Sequence, residues 1–431
     1  MRAVTRSRLC RAAILCLLPA AVQAQRAIAI THVTVIDGSS PTPRLDQTVL
    51  IQGDRIIAVT PAARAEIPSR TQVVDGCGKF LLPGFWDMHV HTDTPGGREV
   101  LALYVQNGVT GVRDMASRWD TIQTWRREIS AGELDGLRIV ASGPYLEGGE
   151  TPIAHILART PEEGRAGVDS LVRVGVDFVK VHGQLSPETY FAIARHARAR
   201  EIPFAGHVSR AVGAAAASDS GQRSIEHLLA VPLPCTPAES IALLPRFPVQ
   251  SALGRCSSAS LAPLYARFVR NDTWVTPTIV AMVEVAAWPR RELPGDSLAH
   301  YLPDTLRKFV AEIFPMPDSV PPGADSVGQA MLAMRLEQVA AMHRAGVGIL
   351  LGTDAPLRNS PPGFGLHEEM ALLVTGGISP FDVLRAATLG AAQFLGIADS
   401  VGTIAAGKLA DLILLEADPS ADIRNTDRSR W

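Results

Sequence analysis

The feature that most constrains the fold is a set of chemically matched residues at the ends of short apolar runs. His89 and His91 close a run that begins at Phe85, and Lys180, His207, His227 and Asp354 stand at or just past later runs. Two histidines at i and i+2 on a strand point to the same face, so both imidazoles can reach one ion. The runs alternate with Ala-, Arg- and Leu-rich segments of helical periodicity, such as 188–200 and 331–344. Candidate strands fall at 85–90, 109–113, 138–142, 178–181, 204–207, 224–227, 274–278 and 348–352. Eight strands with helical crossovers over roughly 300 residues fit a (β/α)8 TIM barrel, which builds its active site from strand ends. The expected class is α/β, and the expected chemistry is that of a metal-dependent hydrolase.

Both flanks of this region read differently. Ile28-Ala29-Ile30, Val33-Thr34-Val35-Ile36, Thr48-Val49-Leu50-Ile51-Gln52 and Arg55-Ile56-Ile57-Ala58-Val59 are candidate strands, with turns at Asp37-Gly38 and Gly53-Asp54. Val401-Gly402-Thr403-Ile404, Gly407-Lys408 and Ala410-Asp411-Leu412-Ile413 return to β character. The two flanks are expected to form one small β-sandwich, with the barrel inserted between its halves. The expected division is a signal peptide at 1–24, the N-terminal part of the sandwich at 25–80, the barrel at 81–390 and the C-terminal part at 391–431. A long stretch from about 280 to 330, proline-dense at 314–323, should cover the active-site mouth and help set specificity.

The leader is read from Arg2, Arg6, Arg8 and Arg11, a short apolar core at 12–21, and Val22-Gln23-Ala24 before Gln25. The core is too short to span a membrane, and Leu15 before Cys16 does not suit lipidation. The mature protein is therefore expected to be secreted or periplasmic, with no membrane attachment after cleavage. Of 41 basic residues these four are lost, leaving 37 against 43 acidic, a balance of −6 that argues against nucleic acid and polybasic membrane sites. Charge gives no oligomer signal, so a homo-oligomer stays open. Cys235 and Cys256 lie in Pro/Gly/Ser-rich sequence and could pair in an oxidising compartment or remain free. Cys77, between two glycines, reads as a small buried residue. No Cys-x-x-Cys spacing supports a thiolate metal site.

Lys180 lies in the apolar run Phe178-Val179-Lys180-Val181, where an unpaired ammonium is costly. Either it pairs with a carboxylate at the barrel mouth, or its neutral amine has captured carbon dioxide. The resulting carbamate is carboxylate-like and can bridge two metals. Asp354 taken alone could be a helix N-cap before Ala355-Pro356. Beside the other five residues it reads as a metal ligand.

Leu82-Pro83-Gly84-Phe85-Trp86-Asp87-Met88-His89-Val90-His91 resembles the opening strand of the amidohydrolase superfamily. Leu350-Leu351-Gly352-Thr353-Asp354-Ala355-Pro356 resembles its eighth strand, and the stretch from Gly396-Ile397 to Ala410-Asp411-Leu412 its closing signature. The likeness runs over essentially the whole mature chain. It is strongest to the imidazolonepropionase-related branch with prolidase-like and carboxypeptidase-like dipeptidases, whose carboxylated-lysine strand Asp177-Phe178-Val179-Lys180 resembles. The resemblance implies two divalent metals: His89, His91 and Asp354 on the more buried one, His207 and His227 on the other. Carboxylated Lys180 and a hydroxide would bridge them. Nitrogen and oxygen ligands suit Zn2+, and Mn2+ or Co2+ fits the same shell. The implied reaction is attack of the bridging hydroxide on a C–N bond of a small-molecule amide, a dipeptide or N-acyl amino acid, with Asp354 moving the proton.

For substrate, four residues stand out. His182 shares the inward face with Lys180 and could contact substrate, orient the carbamate or be a satisfied core histidine. Arg113 could fork onto a substrate carboxylate or pair with Asp114 or Glu147. Tyr145 and His155 flank a glycine-rich loop at the mouth. Two other readings remain: a cyclic-amide hydrolase or deaminase on the same scaffold, and a metal-stabilised binding protein without turnover. The chain stops at Trp431, where the family adds another strand, so the small domain is expected to expose an edge.

Overall fold

A computed structural model describes residues 27–209, 211–228, 230–231, 261–286, 299–313, 324–357 and 360–427. The expected leader, Cys235, Cys256 and the proline-dense section at 314–323 lie outside the described residues.

Alternating apolar residues set the first sheet. β1 (Ile28–Val35) pairs antiparallel with β2 (Arg44–Gln52), and β2 with β3 (Arg55–Pro61). β1 then forks. Its first half pairs in parallel with β4 (Gln72–Asp75), and Thr34 and Val35 pair with β5 (Phe80–Pro83). His32, at a φ of 57°, lies between the two halves, where the register with β2 shifts. β15 (Leu412–Leu415) runs antiparallel on β5, so both flanks of the chain share one six-stranded sheet. Val33, Val49, Ile56, Leu81 and Ile404 bury its apolar face. Cys77 corrects an expectation: it is exposed. A tight turn closed by the Lys79 N–H on the Gly76 carbonyl (2.9 Å), with Gly78 at a φ of +73°, carries it away from the sheet.

The rest of the fold is mixed α/β with parallel strands. β6 (Phe85–Val90), β7 (Val109–Asp114) and β8 (Arg138–Ala141) form one parallel set. β9 (Tyr145–Glu147), β10 (His155–Leu157), β11 (Val179–Val181), β12 (Phe204–Gly206), β13 (Ser224–Glu226) and β14 (Trp274–Thr276) form a second, in the order β10-β9-β11-β12-β13-β14. Beside β8, the Asp177 N–H donates to the Ala141 carbonyl (3.1 Å). At the other end, Leu350 N–H donates to Val275 (2.9 Å), Met88 N–H to Leu351 (2.8 Å) and Asp354 N–H to His89 (2.8 Å). Residues 348–355 thus link β14 to β6. Phe85, Val112, Ile139, Val179, Phe204, Ile225, Val275 and Leu351 contribute to one continuous core. Strands covered by helices read as near-continuous apolar runs, which is why their sequence signal is short and unalternating.

The connecting helices carry explicit start and stop signals. Thr160 and Ser186 accept from Glu163 N and Thr189 N, proline follows each, and Gly175 ends the first helix in a left-handed conformation. Pro161–Val174 buries Val168 and Leu171, and Pro187–Ala199 buries Ile193 and Ala197. Late in the chain, Ala391 and Ala392 pack with Trp86, Met88 and Leu350. His367 bridges Thr426 Oγ1 (2.9 Å) and the Asn107 carbonyl (3.0 Å), fastening the turn Ile423–Asp427 to the parallel region.

Candidate active site

The six residues read from sequence as candidate ligands meet at the carboxyl ends of the parallel strands. His89 lies in β6 and His91 follows it, Lys180 is the middle of β11, and His207 and His227 directly follow β12 and β13. Asp354 belongs to the 348–355 segment. Backbones approach closely here, and glycine permits it. A Cβ on Gly206 would sit 2.1 Å from the Val181 carbonyl oxygen, and one on Gly352 2.8 Å from His89 Cβ. His227 and Asp354 hold φ values of 61° and 59°. That left-handed region costs a non-glycine residue on the order of 1–3 kcal/mol, and such strain gathers at functional sites.

His89, His91 and Asp354 place one ligand atom each within 4.8 Å of one another, an arrangement that can hold a metal ion. His89 Nε2 and His91 Nε2 each lie 3.3 Å from Asp354 Oδ1. His89 Nδ1 is 2.8 Å from Glu226 Oε2, and because a carboxylate only accepts, Nδ1 carries the proton. His89 Nε2 is therefore a bare lone pair, fully buried, making no hydrogen bond and facing a carboxylate oxygen. Two electron-rich atoms at that distance call for a cation shared by both, so the donor set fits a divalent metal. His227 Nδ1 is likewise held, by Thr278 Oγ1 at 2.8 Å. The His207 and His227 rings stand 4.7 Å apart, and His227 is 4.4 Å from His89.

Burial, followed by the neighbouring positive groups His227 and Lys180, holds His89 and His207 well below the usual histidine range. They are neutral, as ligands must be. Burial would raise Asp354, but His227, His91 and Lys180 outweigh it and bring the carboxyl to about 2. Burial lowers the Lys180 ammonium to about 8 against the opposing pull of Asp354, Glu226 and Asp114. Lys180 is almost fully buried, with Nζ 5.6 Å from the centre of the Tyr145 ring. No carboxylate among the described residues forms an ion pair with it.

A cavity of about 800 Å3 opens above these groups, with His91, Lys180, His207, His227 and Asp354 among its lining residues. Tyr145, His155 and His182 line it too. Tyr145 stacks on His182 (4.6 Å) and His155 (6.1 Å), and its hydroxyl meets Thr151 Oγ1 at 2.5 Å. His182 Nδ1 donates to buried Glu147, which also accepts from Gln184 N at 2.9 Å. Arg113 departs from its expected role on a substrate carboxylate. It is buried beneath the site, donating to the Met88 carbonyl (2.7 Å), Ser224 Oγ (2.8 Å) and both oxygens of Glu226 (2.9 and 3.0 Å). Its partner is Glu226, not Asp114 or Glu147. An arginine inside closely packed strands reaches the nearest buried carboxylate before it can reach the mouth.

Sequence reasoning missed Glu226 and Asp87, and offered Glu147 as a partner for Arg113 where the structure pairs it with His182. Asp87 accepts from Thr353 Oγ1 (2.6 Å) and N (3.1 Å), tying β6 to the Asp354 segment, and burial pushes its carboxyl up to about 7. The available signal was a carboxylate beside or near each ligand in an apolar run, as in Asp87-Met88-His89 and Glu226-His227.

Residues 80–431 match the model of the amidohydrolase family. An 82-residue stretch is 40% identical to imidazolonepropionase of Shouchella clausii, covering 18% of this chain. The matched stretches span only 27% and 17% of the curated relatives' lengths. Among solved structures, a Xaa-Pro dipeptidase with bound methionine superposes with a TM-score of 0.67 at 20% identity, over 94% of this chain and 97% of that one. A bottromycin amidohydrolase gives 0.74 at 21%, over 94% and 85%. At these identities the likeness establishes a TIM-barrel-like α/β fold. With most of its length matched by the family's model, the chain belongs to the amidohydrolase family.

Proposed function

We propose that this protein hydrolyses the C–N bond of dipeptides or N-acyl amino acids at a centre of two divalent metals, Zn2+ by donor type. The observation that carries this reading is the bare, buried Nε2 of His89 facing Asp354, beside a buried Lys180 with no carboxylate partner among the described residues. His89, His91 and Asp354 would hold one ion, and His207 and His227 the other. Lys180 would bridge them as a carbamate: its neutral amine adds to carbon dioxide, an N–C bond forms and one proton leaves. When bound, the ions supply Lewis acidity, polarising the carbonyl and lowering the pKa of water from roughly 16 to about 7.

The chain's own groups do the rest. Asp354, ionised at neutral pH, accepts the proton of the attacking water and returns it to the leaving nitrogen. Tyr145, His155 and His182 present a stacked polar edge to the bound substrate. The strand pairings from β6 through 348–355 support a closed (β/α)8 barrel flanked by a small β domain from both chain ends. Residues 1–24 support export by a cleaved leader. The local identity to imidazolonepropionase favours one second reading, a cyclic-amide hydrolase.

The test is metal content per chain on protein prepared with bicarbonate, beside Lys180→Ala. About two ions in the wild type and clear loss in the variant are expected. One ion, unaffected by the substitution, would refute the bridged centre and favour the cyclic-amide reading.

A further inference from the structure

Resting on the amide-hydrolase reading above, we propose that the substrate is an N-acyl amino acid with a bulky apolar acyl group. The acyl group lies on a wall formed by Phe309, Ile313 and Leu357, and the carboxylate is held by Arg118.

The wall follows from how one helix is docked. Asp304–Ile313 buries Leu306 and Val310 against Val100 of the helix Gly97–Gln106. Residues three positions on share a helix face, so the same docking carries Phe309 and Ile313 into the cavity lining. Pro95, Pro356 and Leu357 extend the lining without adding a charge. Beside its polar groups the cavity therefore carries a broad apolar surface. A cavity of about 800 Å3 stands at the upper end of the range of about 300–1,000 Å3 that encloses drug-sized ligands. A small polar dipeptide would leave this surface wet, whereas an alkyl or aryl acyl group removes it from water.

The rim supplies the complementary charge. Arg118 Nε and Nη2 fork onto Asp93 at 2.9 Å each, and the Arg118 backbone N–H donates to the same carboxylate at 2.9 Å. Asp93 is nearly buried, so the fork fixes the guanidinium plane. Nη1 has no partner among the described residues, and Arg118 lines the cavity. A fixed guanidinium with a free edge is a carboxylate reader. Arg118 is itself largely exposed at the mouth, whereas the buried Arg113 is occupied by Glu226, Ser224 and the Met88 carbonyl and cannot take that role.

The experiment compares N-acetyl-, N-butanoyl- and N-octanoyl-alanine on the metal-loaded enzyme, with Phe309→Ala, Ile313→Ala and Arg118→Gln. Calorimetry with N-octylalanine and N-ethylalanine, which have no amide to cleave, runs beside it and reads binding apart from turnover. Wild-type kcat/KM is expected to rise up to about fourfold per methylene. The octanoyl-to-acetyl ratio should fall about tenfold or more in the two wall variants, and N-octylalanine should lose its advantage over N-ethylalanine. Arg118→Gln should narrow by about tenfold the preference for N-octanoyl-alanine over its carboxamide. Hydrolysis of all three amides without chain-length dependence, or an unchanged ratio in both wall variants, overturns the proposal and leaves amide hydrolysis standing. Chain-length-dependent binding with no turnover of any amide overturns the amide-hydrolase reading instead and keeps the apolar wall.

Discussion

Glu226→Gln is the perturbation that tests the logic of the site most directly. Glu226 serves three donors at once: His89 Nδ1 at 2.8 Å, Arg113 Nη2 at 2.9 and 3.0 Å, and the Ser224 hydroxyl. Glutamine keeps the shape but turns one acceptor oxygen into a donor. If the amide nitrogen faces His89, the imidazole must take the other tautomer, putting a proton where a metal would bind. If it faces Arg113, two donors meet, and in either orientation the buried guanidinium loses the negative charge that it pairs with. Loss of such a histidine-orienting carboxylate typically costs 10–100-fold in metal affinity, about 1.4–2.8 kcal/mol. Breaking a buried ion pair costs about 3–5 kcal/mol of fold stability, so the larger effect falls on folding.

The two effects separate with a double variant, Arg113→Met with Glu226→Gln. Removing the buried cation should restore much of the apo-protein melting temperature, since replacing both members of a buried pair is often neutral. Metal affinity should stay low, because an amide oxygen facing His89 Nδ1 is a weaker, uncharged acceptor than the carboxylate. Chelator competition reads the affinity and thermal unfolding of the metal-free protein reads the stability. Wild-type metal affinity in Glu226→Gln would refute the claim that the Glu226 carboxylate supports His89 as a ligand.

Two further outcomes follow from buried groups nearby. Glu369 accepts from Ile279 N (3.0 Å) and Val280 N (2.7 Å), and burial raises its carboxyl to about 8. A folded pKa above the unfolded value stabilises fully below about 4.5, and that contribution is lost as pH rises through about 8. The advantage of wild type over Glu369→Gln should therefore shrink by up to about 1.4 kcal/mol per pH unit across that window, and parallel stability curves from pH 5 to 8.5 would refute it. Gly352→Ala would place a Cβ 2.6 Å from Thr276 Cγ2 and 2.8 Å from His89 Cβ. It should cost about 1–3 kcal/mol, visible as a lower melting temperature, and reduce metal retention; an unchanged melting temperature would show that the strands can part without penalty.

The residues that meet at the site were legible because they combine two signals, a polar residue where an apolar run ends and a two-residue spacing at His89 and His91. The supporting carboxylates were not. Glu226 precedes a histidine in a three-residue strand, and a strand that short offers no alternation from which to tell inward from outward. Arg113 was placed on the right strand and given the wrong partner, because which carboxylate an inward arginine meets depends on pairings between strands 111 and 113 residues apart in sequence. The third candidate strand, 138–142, continues past Gly143 as β9, and a φ of +65° there hides the join. On the flanks, the alternation marked β1 to β3 well, but nothing local announced that β1 would divide its two halves between β4 and β5.

The hydrogen bonds from residues 351–355 to β6 have a consequence for the order of events in synthesis. His89 and His91 leave the ribosome more than 260 residues before Asp354 does, and β5 waits longer still for β15. Contacts of such separation form late, and until they form β5 and β6 each keep an edge open to unwanted pairing. The same closure that unites His89 with Asp354 also withdraws an aggregation-prone edge, so a nascent chain completes its candidate metal site and becomes safe from its neighbours in a single step.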